Sequence, residues 1–511
     1  MELIMKYLLG IDIGTSGTKT VLFDLFGNAA ASATQEYPLY QPQNGWAEQE
    51  PSDWWEAVVG TIQAVLKKSG ANASEIGGVG LSGQMHGLVM LDENNQVLRK
   101  SIIWCDQRTG TQCEEITSLV GRERLIEITA NPALTGFTAS KILWVRENEP
   151  RLYDRCRHIL LPKDYIRFML TGEYATEVSD ASGMQLLDIP RRCWSIEVLN
   201  RLGIDKALLG KVYESPEITG KISKSAAELT GLASGTPVVG GAGDNAAAAV
   251  GTGVVKDGLA FATIGTSGVV YAHSSKIQID PKGRVHTFCS AVPGEWHMMG
   301  VCLASGLSLK WFRDNFCSEE IEKANIQGAD PYVLMDDEAR QIRPGCDRLI
   351  YLPYLMGERT PHLDPDCRGV FFGLSAMHTR AHMIRAVMEG VSYSLLDCAL
   401  ILREMGVGIT EMTACGGGGS STLWRKMMSD MFGCDVLTVT SKEGPALGVA
   451  LLAGVGAGAY SSVQEACEIV IKRDKLQKPD SNLTEFYSGY HKLYTELYRS
   501  LKADFEKLSK L

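Results

Sequence analysis

The phrase Gly-Thr-Ser-Gly occurs twice in this chain, as Gly14-Thr15-Ser16-Gly17 and as Gly265-Thr266-Ser267-Gly268, about half a chain length apart. Each copy follows a short apolar run, residues 7–13 and 259–264. An apolar strand that feeds a Gly/Thr/Ser turn aims several backbone N–H groups at one point, a concavity suited to phosphate. Two such turns, one per half, predict a duplicated fold that holds a polyphosphate from both sides. A chain of 511 residues is too long for a single core, so two lobes are also the expectation from size.

The surroundings of the two turns fit that duplication. Residues 8–12, 19–23 and 29–37 read as an antiparallel meander, and Pro51 opens a helix over 54–68 with Asp53 and Glu56 as a capping box. A strand follows at 75–82 and a hairpin at 89–98 around Asn94-Asn95. In the second half a hairpin at 259–272, a helix at 379–405, a strand at 412–415 and a helix at 422–432 repeat the order loosely. The small residues of 251–258 read as a hinge. Leu483, Phe486, Tyr490, Leu493, Leu497 and Leu501 recur at helical spacing and predict an amphipathic C-terminal helix.

Charge and cysteine usage narrow the partners. A net charge of −10 speaks against nucleic acid and anionic membrane surfaces. No apolar stretch is long enough to span a bilayer, and the apolar 1–10 segment, broken soon after by Asp12, reads as a first strand rather than a signal peptide. The 13 cysteines include no C-x-x-C pair, which predicts free thiols and a cytoplasmic setting.

Several residues carry chemistry. Asp12, at the end of the first strand, is placed to hold Mg²⁺ against a nucleotide's phosphates, or else simply initiates a turn. Asp244 is the sole charged residue from 232 to 255 and sits among glycines and alanines. It either caps a helix beginning at Asn245 or accepts a proton from a hydroxyl during phosphoryl transfer. The run Gly416–Gly419, between a strand and a helix, fits a nucleotide's base and ribose lying against backbone, although a plain loop has the same look. Gln84 and His86 end a strand where sugar hydroxyls are met, with Met85 against carbon; a satisfied core histidine is the bland alternative. Asp106 and Arg108 offer further polyol contacts or form a surface ion pair. His378 and His382 have zinc-like spacing but no third ligand, and read as a solvated helix face.

Taken together, the phrases 10–17, 83–87, 161–165, 243–247, 357–362, 369–374 and 444–448 resemble those of the FGGY carbohydrate kinases, over nearly the whole chain. The resemblance implies an α/β fold of two RNase H-like, actin-like ATPase lobes, residues 1–254 and 255–511, flanking a nucleotide and sugar cleft. It implies ATP and Mg²⁺ as reactants, no nucleic-acid or membrane partner, and a homodimer. By the same resemblance Asp244 matches the catalytic base and shares the metal with Asp12. Gln84, Met85, His86, Asp106, Arg108 and Asn245 match sugar contacts. Gly14, Thr15, Ser16 and Lys19 match the first phosphate loop, Gly265, Thr266 and Ser267 the second, and Gly417-Gly418 the adenosine motif. The Gln84-Met85-His86-Gly87 phrase favours D-xylulose over glycerol as the sugar. Cys105 departs from the polar residue expected between Trp104 and Asp106.

Overall fold

The structure, a computed structural model, describes residues 5–511, so the first four positions of the expected N-terminal strand lie outside the described residues. The first sheet is built from β1 (Tyr7–Ile13), β2 (Gly17–Asp24) and β3 (Ala29–Glu36). After helix α1 (Pro51–Ser69) it continues with β4 (Ile76–Gly83). Helix α2 (Thr138–Asn148) belongs to the insertion that follows. The chain then returns through β5 (Ile218–Lys221), β6 (Pro237–Val239), the short β7 (Ala242–Gly243) and helix α3 (Asp244–Gly251).

The second half supplies β8 (Gly258–Ile264), β9 (Gly268–Ser274), β10 (His286–Cys289) and β11 (Trp296–Cys302). Helix α4 (Arg380–Glu404), β12 (Ile409–Cys415), α5 (Thr422–Phe432) and β13 (Asp435–Val439) come next. Helix α6 (Gly444–Gly456), β14 (Arg473–Gln477) and the long α7 (Ser481–Leu508) complete the chain.

The strand orders are β5-β6-β4-β1-β2-β3 and β10-β11-β9-β8-β12-β13-β14, with β7 also on β4. Within them the sequences β3-β2-β1-β4-β6 and β11-β9-β8-β12-β13 correspond. In each, the strand before the Gly-Thr-Ser-Gly turn pairs antiparallel with the strand after it and parallel with the fourth strand. The duplication read from the two turns is therefore a duplication of sheet topology, the RNase H-like lobe expected.

β1 reads as a nearly unbroken apolar run because both of its faces are covered. Leu8 packs on one side with Val21 and Phe23, while Leu9, Ile11 and Ile13 face Trp54, Val58, Ile62 and Val65 of α1 on the other. The helix covering the first face is α6, which comes from the second half of the chain. A Cβ on Gly10 or on Gly80 would lie 1.9 Å from a carbonyl oxygen of α6, that of Ala446 or Val449. Pro445 sets the first turn of this helix, and the 444–448 phrase thus reads as a packing device that lets α6 lie directly on β1 and β4.

Three expected details differ. Helix α1 starts at Pro51 with Glu50 as its flanking residue and no side-chain cap; proline's fixed φ begins the helix early and leaves Asp53 inside its first turn. The expected turn around Asn94-Asn95 closes, with the Asp92 N–H on the Gln96 carbonyl, the Leu98 N–H on that of Met90 and a Leu91–Val97 bridge, but residues 89–91 find their ladder with 158–160. The buried stripe of α7 is Tyr487, Tyr494, Leu497, Tyr498 and Phe505, whereas Phe486 and Leu493 are exposed. Tyrosine hydroxyls find partners inside, Tyr487 on Glu389 and Tyr498 on Asp364, so the rings bury although the residues are polar. His382 caps α4 through Thr379 and His378 accepts from the Ser375 N–H, which gives both structural work. Among the described residues no helix is long and apolar enough to cross a membrane.

Candidate active site

Parallel strands meet ligands at their carboxyl ends, and the register of β1, β4 and β7 makes such an edge. Asp12 lies opposite Ser82, and Ser82 lies opposite Ala242, so the three stand in a row across adjacent strands. Asp244 follows immediately as the first residue of α3. The Ser82 hydroxyl donates to Asp12 Oδ1 at 2.8 Å. Burial pushes the Asp12 carboxyl up, against the pull of Ser82 and Lys19. Asp244 is pushed up to about 6, first by burial and then by the charge of Asp12. A buried carboxylate whose proton affinity is raised by a second one marks a site where negative charge is crowded.

The capping alternative for Asp244 is not realised. Its Oδ1 accepts from the N–H and the amide of the adjacent Asn245, at 2.7 and 3.0 Å, and no side chain caps the helix. A magnesium ion is commonly held by one or two carboxylates with water and phosphate completing its shell. The pair Asp12 and Asp244 fits that donor set, and among the described residues no cage of three or more His, Cys, Asp or Glu competes for it.

Both glycine turns are tied to the scaffold by their carbonyls, and each closes on itself through its first N–H, Gly14 on the Gly17 carbonyl and Gly265 on that of Ser267. In the first, Tyr37 Oη donates to the Gly14 carbonyl at 2.5 Å and Gln49 Nε2 to that of Thr15 at 2.7 Å. Ser16 is exposed. In the second, the Gly306 and Ser305 N–H groups donate to the carbonyls of Gly265 and Thr266 at 2.7 and 3.1 Å, and Thr266 and Ser267 are exposed. Lys19 stands opposite Asp12 in the β1–β2 pair and makes an ion pair with Glu443 at 2.5 Å.

The glycine run lies beside the second turn. Thr263 and Cys415 are paired across parallel strands, and a Cβ on Gly416 would meet the Ile264 carbonyl oxygen at 2.7 Å. The run forms one helical turn, Gly416–Gly419, rather than a loose loop, and Gly417 borders open space. Its counterpart in the first lobe is the 83–87 phrase, which leaves β4 at the same topological position and whose Gln84 N–H donates to the Ile13 carbonyl at 2.8 Å.

That phrase lies against Gly243, the residue before Asp244. A Cβ on Gly243 would touch the Met85 side chain at 3.0 Å, and the His86 Nδ1 lies 2.8 Å from the Gly183 carbonyl oxygen. Burial pushes the His86 imidazole down to about 3, so the ring is neutral. Gln84 is buried and donates to Gln49 Oε1 at 2.7 Å, while its own Oε1 has no partner among the described residues.

Asp106 and Arg108 differ from the expected sugar contacts, and they are no surface pair either. Asp106 is fully buried, accepting from the Ala47 N–H at 2.6 Å and from Arg108 at 2.7 and 3.0 Å. The Arg108 guanidinium also pairs with Glu48 at 2.8 Å and lies 3.6 Å from the Trp46 ring centroid. Bidentate pairing and ring stacking consume what these residues had to offer a ligand.

Two residues near the cleft went unread in the sequence. Trp104 donates from Nε1 to Thr15 Oγ1 at 2.8 Å, joining its half-exposed ring to the first turn. Lys141 donates to the His86 carbonyl at 2.8 Å from a fully buried position. Its signal was a lone cation in the apolar stretch 137–145.

With this geometry in view, the comparisons with known proteins are direct. The FGGY carbohydrate kinase N-terminal domain matches residues 7–251 and the C-terminal domain residues 260–457. The chain belongs to the FGGY family of carbohydrate kinases. This FGGY kinase is 38% identical over 498 residues to a xylulose kinase of Bacillus subtilis, covering 98% of each chain. It is 34% identical over 506 residues to a gluconokinase of the same organism, covering 99% of this chain and 98% of that one. A solved "xyloylose kinase" from Brucella ovis superposes with a TM-score of 0.88 at 36% identity, over 97% of this chain and 99% of the other. The FGGY kinase is thus an enzyme that phosphorylates carbohydrate, with the two-lobed α/β fold of its relatives.

Proposed function

We propose that this FGGY kinase transfers the γ-phosphoryl group of ATP to the terminal hydroxyl of D-xylulose, giving D-xylulose 5-phosphate. The observation that carries the reading is the placement of Asp244 at the strand-end row, within the field of Asp12 and next to Gly243, against which Met85 packs. Asp244 accepts the hydroxyl proton as the oxygen attacks phosphorus, and its Oδ1 is already oriented by Asn245. Asp12 and Asp244 would hold Mg²⁺, which when bound offsets phosphate charge. The remaining N–H groups of the two turns take the phosphates, and Gly417-Gly418 lie along the adenosine. Met85, neutral His86 and Asn245 receive the sugar.

Lobes 1–254 and 255–511 close about residues 251–258 to exclude water, the competing acceptor. The free thiols support a reducing, cytoplasmic setting, and family resemblance points to a homodimer, which sedimentation reads directly.

The gluconokinase relative keeps D-gluconate as a second reading. ADP release coupled to NADH oxidation, with MgATP and D-xylulose, D-gluconate, L-ribulose, D-ribulose or glycerol, separates them. A large rate confined to D-xylulose is expected. A large rate with gluconate instead leaves base and turns in place and overturns the sugar assignment.

A further inference from the structure

His86 is held in a conformation its backbone does not favour. Its φ is +69°, the left-handed region, which for a non-glycine residue persists only where the surroundings over-determine it. Four contacts do so, and three of them come from the start of α2. The His86 carbonyl accepts from Lys141 Nζ at 2.8 Å and from Thr138 Oγ1 at 3.1 Å. The imidazole stacks on Phe137, the residue flanking that helix, with centroids 4.6 Å apart and planes 16° off parallel. The fourth contact is the Gly183 carbonyl on Nδ1.

Lys141 is unusual in its own right. It is fully buried, and among the described residues no carboxylate pairs with it; the nearby Asp106 is committed to Arg108. A buried ammonium without a counter-charge is costly. Burial pushes this amine down to about 7, with Asp106, Cys105 and Cys113 pulling up and Arg108 pushing down. Its two protein acceptors are carbonyls, those of His86 and of Gly136 at 2.7 Å. A neutral amine still has two N–H bonds for two carbonyls, so the clamp holds in either protonation state.

We propose that Lys141, assisted by Thr138, is a positioning residue for the sugar site: it locks the left-handed His86 peptide so that Met85 stays packed on Gly243, next to Asp244, and the imidazole stays stacked on Phe137. The proposal rests on the assignment of His86 to the sugar. Release of the clamp lets the peptide relax toward ordinary φ and withdraws the imidazole from its stack. The phosphate turns and the glycine run, which Lys141 does not touch, are left as they are.

Lys141→Met removes the donors while nearly keeping the length, Thr138→Val removes the hydroxyl, Thr138→Ser keeps it, and His86→Ala serves as reference. KM for D-xylulose, KM for ATP, kcat and the thermal midpoint are measured for each. Lys141→Met should raise KM for D-xylulose on the order of tenfold while KM for ATP stays within about twofold. Its midpoint should hold or rise, because an unpaired buried charge is gone. Thr138→Val should move in the same direction by less, and Thr138→Ser should match the wild type. An unchanged KM for D-xylulose in Lys141→Met and Thr138→Val overturns the proposal even if His86→Ala raises it. A lowered midpoint with both KM values rising together also overturns it, as a general structural role. If His86→Ala itself leaves the sugar KM unchanged, the assignment of His86 fails and takes the proposal with it.

Discussion

At Asp244, burial and the neighbouring Asp12 act in one direction, both favouring the protonated carboxyl, so the group is poised to accept a proton as a hydroxyl reacts. Asp244→Asn keeps the shape and removes the acceptor. Turnover should fall on the order of 10²- to 10⁴-fold, with ADP binding by calorimetry largely intact; near-normal turnover would remove Asp244 from the mechanism. Residues of this kind were legible because an isolated carboxylate among small residues has few structural reasons to exist. Arg108 and Asp106 were not, since a charged pair looks the same in sequence whether it meets a polyol or a tryptophan ring. The tyrosines of α7 misled for a related reason: apolarity was read from residue type, whereas Tyr487, Tyr494 and Tyr498 bury their rings and satisfy their hydroxyls.

Among the elements, the crossing of α3 and α6 governs how the strand end that bears Asp244 is buttressed. A Cβ on Gly448 would stand 1.9 Å from the Ala247 carbonyl oxygen, and one on Gly251 would stand 1.8 Å from that of Gly444. These are backbone-on-backbone contacts that no rotamer change can relieve. Gly448→Val should therefore destabilise the protein by about 1–3 kcal/mol or more in urea unfolding. Gly489, inside α7 with open space around it, is the control: Gly489→Ala should stabilise by about 0.5–1 kcal/mol. Equal effects at the two positions would contradict the packing account. The strand-turn-strand units around each Gly-Thr-Ser-Gly were legible because the turn and the flanking apolar runs are local. The assignment of α6 to the first sheet was not, because nothing local in the 444–456 segment says which sheet it covers.

For the whole molecule, duplication gives the proposed polyol site and the proposed nucleotide site one architecture. The position that follows the fourth strand carries the Gln84–Gly87 phrase in one lobe and the glycine run in the other, each beside its own phosphate turn. Side chains at the first suit a polyol, and bare backbone at the second suits a flat base and ribose. The lobes meet where Asn131 donates to the Thr287 carbonyl at 3.1 Å and bonds His286 at 2.8 Å. Transfer to sugar rather than to water is read by ³¹P NMR of the enzyme with equimolar MgATP and D-xylulose. A phosphomonoester coupled to the terminal methylene protons of the sugar, growing in step with ADP, is expected. Inorganic phosphate released at a rate indifferent to the sugar would contradict it and mark the chain as a nucleotide-driven ATPase.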